Sequence, residues 1–126
     1  MTLGLMPAAE PRPVVEDAPE GPVLSGVRCR ACEHPVAVRV PRCPRCSGET
    51  ESASFGPDGV LWSTTTFYVS SGEREAPYTL GYVDLDHGPR LLAHVDDGPE
   101  LEPAVAERVR LTGRTPVGDP LVELVR

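Results

Sequence analysis

Four cysteines carry the clearest chemistry in this sequence. Cys29-Arg-Ala-Cys32 is followed, after ten residues, by Cys43-Pro-Arg-Cys46. Paired Cys-x-x-Cys units suit a divalent ion that takes four tetrahedral thiolates at about 2.3 Å. A two-residue spacer lets both sulfurs of one pair point to the same side of a tight turn, and the intervening hairpin returns the chain to present the second pair. The reading is a structural zinc site, Zn2+ held by Cys29, Cys32, Cys43 and Cys46. Two other chemistries use the same residues. A redox iron centre of the rubredoxin kind is one, although rubredoxins bury their iron among aromatic rings and residues 25–48 contain no Phe, Tyr or Trp. Disulfides are the other, and they need an oxidising compartment.

A closed four-thiolate set leaves no open position for water or substrate, which argues for scaffolding rather than metal catalysis. It also takes up every cysteine in the sequence, so no thiol remains as an acyl-transfer nucleophile. His34, beside the first pair, reads as a neighbour of the site or an exposed residue rather than a ligand. Arg28, Arg30, Arg39, Arg42 and Arg45 stand against the single acid Glu33 across residues 25–48. Four thiolates around a divalent cation leave two negative charges, and nearby cations lower the cost of gathering them. The other use for these arginines is to meet an anionic ligand such as a nucleotide phosphate.

The remaining reactive groups form no recognisable constellation. His87 and His94 lie near Asp84, Asp86, Asp96 and Asp97 in sequence, but aspartates around a Gly-Pro turn are ordinary turn chemistry. There is no Gly-x-Gly-x-x-Gly, P-loop, Gly-x-Ser-x-Gly or His-Glu-x-x-His. No catalytic residue is assigned.

The elements that must position these groups read as mainly β. Fifteen prolines and twelve glycines in 126 residues favour short strands and turns over a helix bundle. Residues 1–24, with five prolines among alanines and acids, read as an extended arm or linker. Residues 25–48 read as the zinc ribbon, with Val36–Val40 as a short strand. Residues 49–126 read as a barrel, with strands over Val60–Ser70, Tyr78–Asp86, Arg90–Val95, Arg108–Thr112 and Leu121–Val125 and a helical turn at Glu102–Arg108. Five short strands favour a closed OB-fold barrel, which removes sticky sheet edges. Gly81, in mid-strand, is expected to mark a bulge or sharp bend.

Net charge is −7, but unevenly spread: residues 49–126 carry fourteen acids against six arginines. That excess repels phosphates and counts against nucleic acid. No run approaches eighteen apolar residues, so no membrane partner is expected. Met1–Ala9 lacks a basic region before its short apolar run, so the expected address is cytoplasmic.

The order of features resembles the zinc-ribbon/OB-fold proteins of acyl-CoA metabolism, long catalogued as a domain of unknown function numbered thirty-five. The resemblance is carried by the double Cys-x-x-Cys with Val40-Pro-Arg-Cys43, then Gly59-Val-Leu-Trp-Ser-Thr-Thr-Thr66, Ala76-Pro-Tyr-Thr-Leu-Gly-Tyr-Val83 and Asp86-His-Gly-Pro-Arg-Leu91. It covers about residues 25–126. Members often carry a helix before the ribbon, which the prolines here argue against. The resemblance implies a non-catalytic accessory subunit in a hetero-oligomer with a thiolase-like catalytic subunit (a thiolase, synthase or aldolase), with acyl-CoA near the interface. It implies lipid or steroid side-chain metabolism as the setting. Two readings from other classes stand beside it: a module binding single-stranded nucleic acid, which would use Trp62, Phe67, Tyr68, Tyr78 and Tyr82 to stack bases, and a rubredoxin-like electron carrier.

Overall fold

The computed structural model describes residues 12–70, 72, 74–96 and 106–125. Among them are nine strands and no helix: β1 (Val14–Ala18), β2 (Gly21–Cys29), β3 (Pro35–Val36), β4 (Thr50–Phe55), β5 (Asp58–Phe67), β6 (Tyr78–Leu85), β7 (Arg90–Val95), β8 (Arg108–Arg114) and β9 (Pro120–Leu124).

The first four strands form one sheet around β2. β1 and β3 pair along one edge of β2, and β4 pairs antiparallel along the other from Leu24↔Phe55 to Cys29↔Thr50. Val23 to Val27 are buried without a break. A strand covered on both faces reads as a continuous run of apolar and small residues rather than an alternation.

That explains a correction. Residues 14–24, expected as part of an extended arm, are a hairpin, and the expected boundaries at 24 and 49 both give way. Residue 24 lies inside β2, and residues 50–55 belong to the ribbon sheet, so the barrel begins at Asp58. The strand expected over Val36–Val40 is only Pro35–Val36. Residues 1–11 of the arm, and most of the turn expected at Glu102–Arg108, lie outside the described residues.

The other five strands close a barrel in the order β5-β6-β7-β9-β8. Every pairing is antiparallel except β7 with β9. This is the five-stranded OB-fold expected, built from period-2 strands whose alternate residues Leu91, Ala93 and Val95 point inward.

The bulge is on β5, not β6: the register slips between Leu61 and Ser63, leaving Trp62 as the extra residue. Gly81 opposite has a different job. A Cβ there would sit 2.9 Å from Leu61 Cδ1 and 3.0 Å from the Ser63 carbonyl, so glycine lets β6 approach the bulged strand.

One apolar core serves both sheets. Val15, Leu24 and Phe55 of the ribbon sheet join Leu61, Val83, Leu111 and their neighbours inside the barrel. Arginines tie the seam. Arg28 donates to the His87 carbonyl at 2.8 Å while its guanidinium lies over the Phe55 ring. Arg110 donates to the Glu20 carbonyl and Arg114 to that of Val15.

Candidate functional site

The two cysteine pairs sit on matching turns. In the first, the Cys29 carbonyl accepts the Glu33 N–H; in the second, the Cys43 carbonyl accepts the Ser47 N–H. Glu33 and Ser47, each four residues past its leading cysteine, hold the left-handed conformation that ends the turn (φ 64° and 65°). Cys29 N–H donates to the His34 carbonyl and Cys43 N–H to that of Gly48. His34 thus contributes its backbone, and the cluster of donor atoms is made of cysteines alone.

All four sulfurs lie within 4.8 Å of one another. Cys29 and Cys46 are 3.5 Å apart, and Cys32 and Cys43 3.8 Å. A disulfide would need about 2.05 Å. A tetrahedron with arms of about 2.3 Å has edges of about 3.8 Å, so the four sulfurs stand at the spacing of a four-thiolate metal site.

The surroundings favour thiolates. Cys29 Sγ accepts the N–H groups of Ala31 and Cys32 at 3.3 and 3.4 Å, and Cys43 Sγ accepts that of Arg45 at 3.3 Å. The Cys32 N–H, helped by that of Ala31 and by neighbouring thiols, outweighs burial and brings the Cys29 thiol down to about 6. Cys46 goes the other way. The Gly48 N–H favours its thiolate, but its bonds to Cys29 and Cys32 and its burial push it up to about 12. A cation bound among the four sulfurs would replace these shared protons.

Gly48 is a member of the site that residue types alone did not point to. A Cβ there would stand 3.1 Å from Cys29 Sγ and 3.2 Å from Cys46 Sγ, so the chain must be bare where it crosses the sulfurs. Only its place five residues after Cys43, at the end of the second turn, hints at this.

The ribbon arginines divide. Arg28 serves the seam, and Arg39 donates to Ser25 Oγ and pairs with Glu16 at 3.7 Å. Arg30, Arg42 and Arg45 are exposed around the turns.

Asp84, Asp86 and His94 are paired, but with arginines and a distant aspartate rather than with one another. Asp84 accepts two bonds from Arg90, and Asp86 two from Arg108, which hold the Asp86 carboxyl below the usual range. His94 Nε2 meets Asp119 at 3.0 Å, from twenty-five residues away. Asp119 also receives Arg74 at 2.6 Å and Arg12 at 3.1 Å. Burial pushes the Asp119 carboxyl up, but the bonds from Arg74 and His94 win and leave it below its ordinary value. These contacts tie the β8–β9 turn to the chain before β6 and to the segment before β1. The separation in sequence hides them from any reading of spacing. Of the five rings expected either to stack bases or to pack, Trp62, Phe67, Tyr68 and Tyr82 are exposed on the barrel's outside, and Tyr78 is half-buried against Phe67.

Residues 54–120, just over half of the chain, match the family described as the ChsH2, C-terminal OB-fold domain. The chain belongs to that family. Beyond this ChsH2-type domain, it is similar to the benzoylsuccinyl-CoA thiolase subunit BbsA of Thauera aromatica, at 30% identity over 79 residues, which are 62% of this chain and 55% of that protein. The chain therefore spans about half the length of that relative. Among solved structures, the fold resembles the Ltp2-ChsH2(DUF35) aldolase, with a TM-score of 0.63 at 22% identity, over 78% of this chain and 81% of that one. At that identity the likeness speaks for the fold. The expected membership of the zinc-ribbon/OB-fold family, with the four cysteines ahead of a closed five-strand barrel, is met.

Proposed function

We propose that this chain is an accessory subunit that binds and supports a thiolase-superfamily enzyme acting on an acyl-CoA, with Cys29, Cys32, Cys43 and Cys46 holding a structural Zn2+. The observation that carries it is membership of the ChsH2 C-terminal OB-fold family, supported by the similarity to a protein named as a thiolase subunit and to a structure named as an aldolase. The site chemistry points the same way. All four thiols of the sequence gather in one closed cluster, and His94 is held by an aspartate that two arginines already engage. Reaction chemistry is then the partner's, and this chain supplies a rigid module beside it. A bound Zn2+ would supply cross-linking of the two turns and nothing to a reacting bond, because four thiolates fill its shell. The four free thiols fit a reducing, cytoplasmic address. Lipid or steroid side-chain breakdown is the setting this reading carries.

Co-purification from the source organism is the test. A thiolase-like protein should be recovered with the chain, and its activity or solubility should fall when the chain is removed. Full activity and solubility without the chain would sink the proposal. Elemental analysis should return one zinc per chain; iron would instead favour an electron carrier. The exposed rings on β5 and β6 favour a second reading, stacking of single-stranded nucleic acid, which predicts binding that weakens steeply with salt. No oligonucleotide binding at low salt removes it.

A further inference from the structure

We infer that the outer face of β5, β6 and β7 is where this chain docks on its partner, receiving an uncharged, apolar surface of the thiolase-like subunit with Trp62 as the anchor. The inference rests on the accessory-subunit reading and adds to it the surface and the chemistry of contact.

Trp62, Phe67, Tyr82 and Leu92 are 50, 39, 44 and 45% exposed, on three neighbouring strands. The register puts Tyr82 beside Leu92 on β7 and beside Ser63 on β5, next to the bulged Trp62. Trp62 follows the buried Leu61 onto the outer face, and the bulge there shifts the alternation so that Ser63, Thr65 and Phe67 pair with Tyr82, Leu80 and Tyr78 on that same face. Between these groups runs a shallow cleft of about 210 Å³ that includes Leu80 and Thr65. A second cleft shares Leu80 and Leu92 and continues the apolar surface to Tyr78. Half-exposed, the four large side chains offer roughly 400 Å² of apolar surface, given about 150–250 Å² for a whole aromatic residue. That is the size of a functional patch and about half of the roughly 800 Å² per partner of a standard interface.

Charge decides what fits. The ionic groups at the margins are already matched, Arg90 with Asp84 at one end and Arg74 and His94 with Asp119 at the other. Among the described residues no unmatched cation borders the rings to hold a phosphate chain, and the barrel segment is acidic, so a polyanion lacks its main source of affinity. An uncharged centre rich in Trp, Tyr and Phe, with Ser63 and Thr65 as polar neighbours, is the composition of a protein interface core. Trp62 is also prearranged: the Arg90 guanidinium lies 4.2 Å from its ring centre, fixed by two bonds to Asp84, and Tyr82 meets it edge-on. A ring held in place loses little freedom on binding, which makes it a strong anchor.

The test is the affinity of the full chain and its variants for the thiolase-like protein that co-purifies with it, measured by titration calorimetry. Trp62→Ala should weaken binding about 30-fold or more, the size of an interface hot spot, and Leu92→Arg should abolish it. Glu123→Ala, exposed on β9, should bind as the unaltered chain does. Circular dichroism and metal content check that each variant is folded. If the unaltered chain binds and Trp62→Ala and Leu92→Arg bind equally well, the docking face is wrong while the accessory-subunit reading stands. If the unaltered chain binds no such protein, both fall. Self-association, or oligonucleotide binding, that disappears in Trp62→Ala would assign the face to a second copy or to nucleic acid, and would overturn the inference.

Discussion

Between Cys29 and Gly48 only Cys29 and Cys43 are buried, whereas the barrel encloses Leu61, Val83, Leu91, Leu111 and Val122 almost completely. The turns have hydrogen bonds and sulfurs but almost no apolar core; the barrel has a core and needs no ligand to close. The strands beneath the turns side with the barrel, because Val15, Leu24 and Phe55 lie in its core. On the proposed zinc reading, order in the turns depends on the ion, while the sheet carrying them is set by burial.

Removing the metal should therefore give the largest effect. Structural zinc binding is worth on the order of 10 kcal/mol in small domains, coupled to the order of the ligand loops. Chelation, or Cys43→Ser, should erase amide protection across residues 30–48 while β5 to β9 keep theirs in hydrogen exchange. If the barrel loses protection at the same time, the two regions are one cooperative unit and the contrast fails.

Next comes the core itself. Leu61→Ala should cost about 2–5 kcal/mol of global stability, the range for a fully buried leucine, read from urea unfolding. Metal content per folded chain should stay the same. A parallel loss of metal would mean that barrel packing also sets the sulfur geometry.

Gly48→Ala tests the local crowding. A methyl 3.1–3.2 Å from two sulfurs must push them apart, so metal affinity should fall about tenfold in competition with a chromogenic chelator. Global stability should hardly change. An unchanged affinity would show that the turn can yield.

The smallest effect concerns pH. Asp119 and Asp86 have carboxyls held below the ordinary 3.8. Stability from a lowered carboxyl is fully present above its unfolded value and is lost as pH falls through the lower folded value. Unfolding free energy should thus be flat in this respect above about pH 5 and decline below about pH 4. Asp119→Asn should lower stability at pH 7 by about 1–2 kcal/mol, since a half-buried acceptor of charged hydrogen bonds is lost. It should also flatten the acid limb; an unchanged slope would assign that limb to other groups.

How far the sequence could be read follows from how local each feature is. The four-cysteine cluster was legible because a Cys-x-x-Cys turn is defined within a few residues. β7 was legible because Leu91, Ala93 and Val95 alternate against one buried face. β1 and β2 were missed for a related reason, since the buried run Val23–Val27 has no alternation to find and Pro19 and Pro22 precede it. Gly81 was recognised as special, but its reason lay across the strand pair, in the crowding of Leu61.

Residue types and spacing were enough to specify a four-cysteine cluster and a five-stranded barrel, because turns and strand periods are short-range properties of the backbone. Three things arise only from chain closure. They are the sharing of one core by ribbon and barrel, the meeting of Arg12, Arg74 and His94 on Asp119, and the gathering of Trp62, Tyr82 and Arg90 on one outer face. Each joins segments far apart in sequence: Arg12 and Asp119 are 107 positions apart. Contacts at that range depend on register and barrel closure, and no local pattern encodes them.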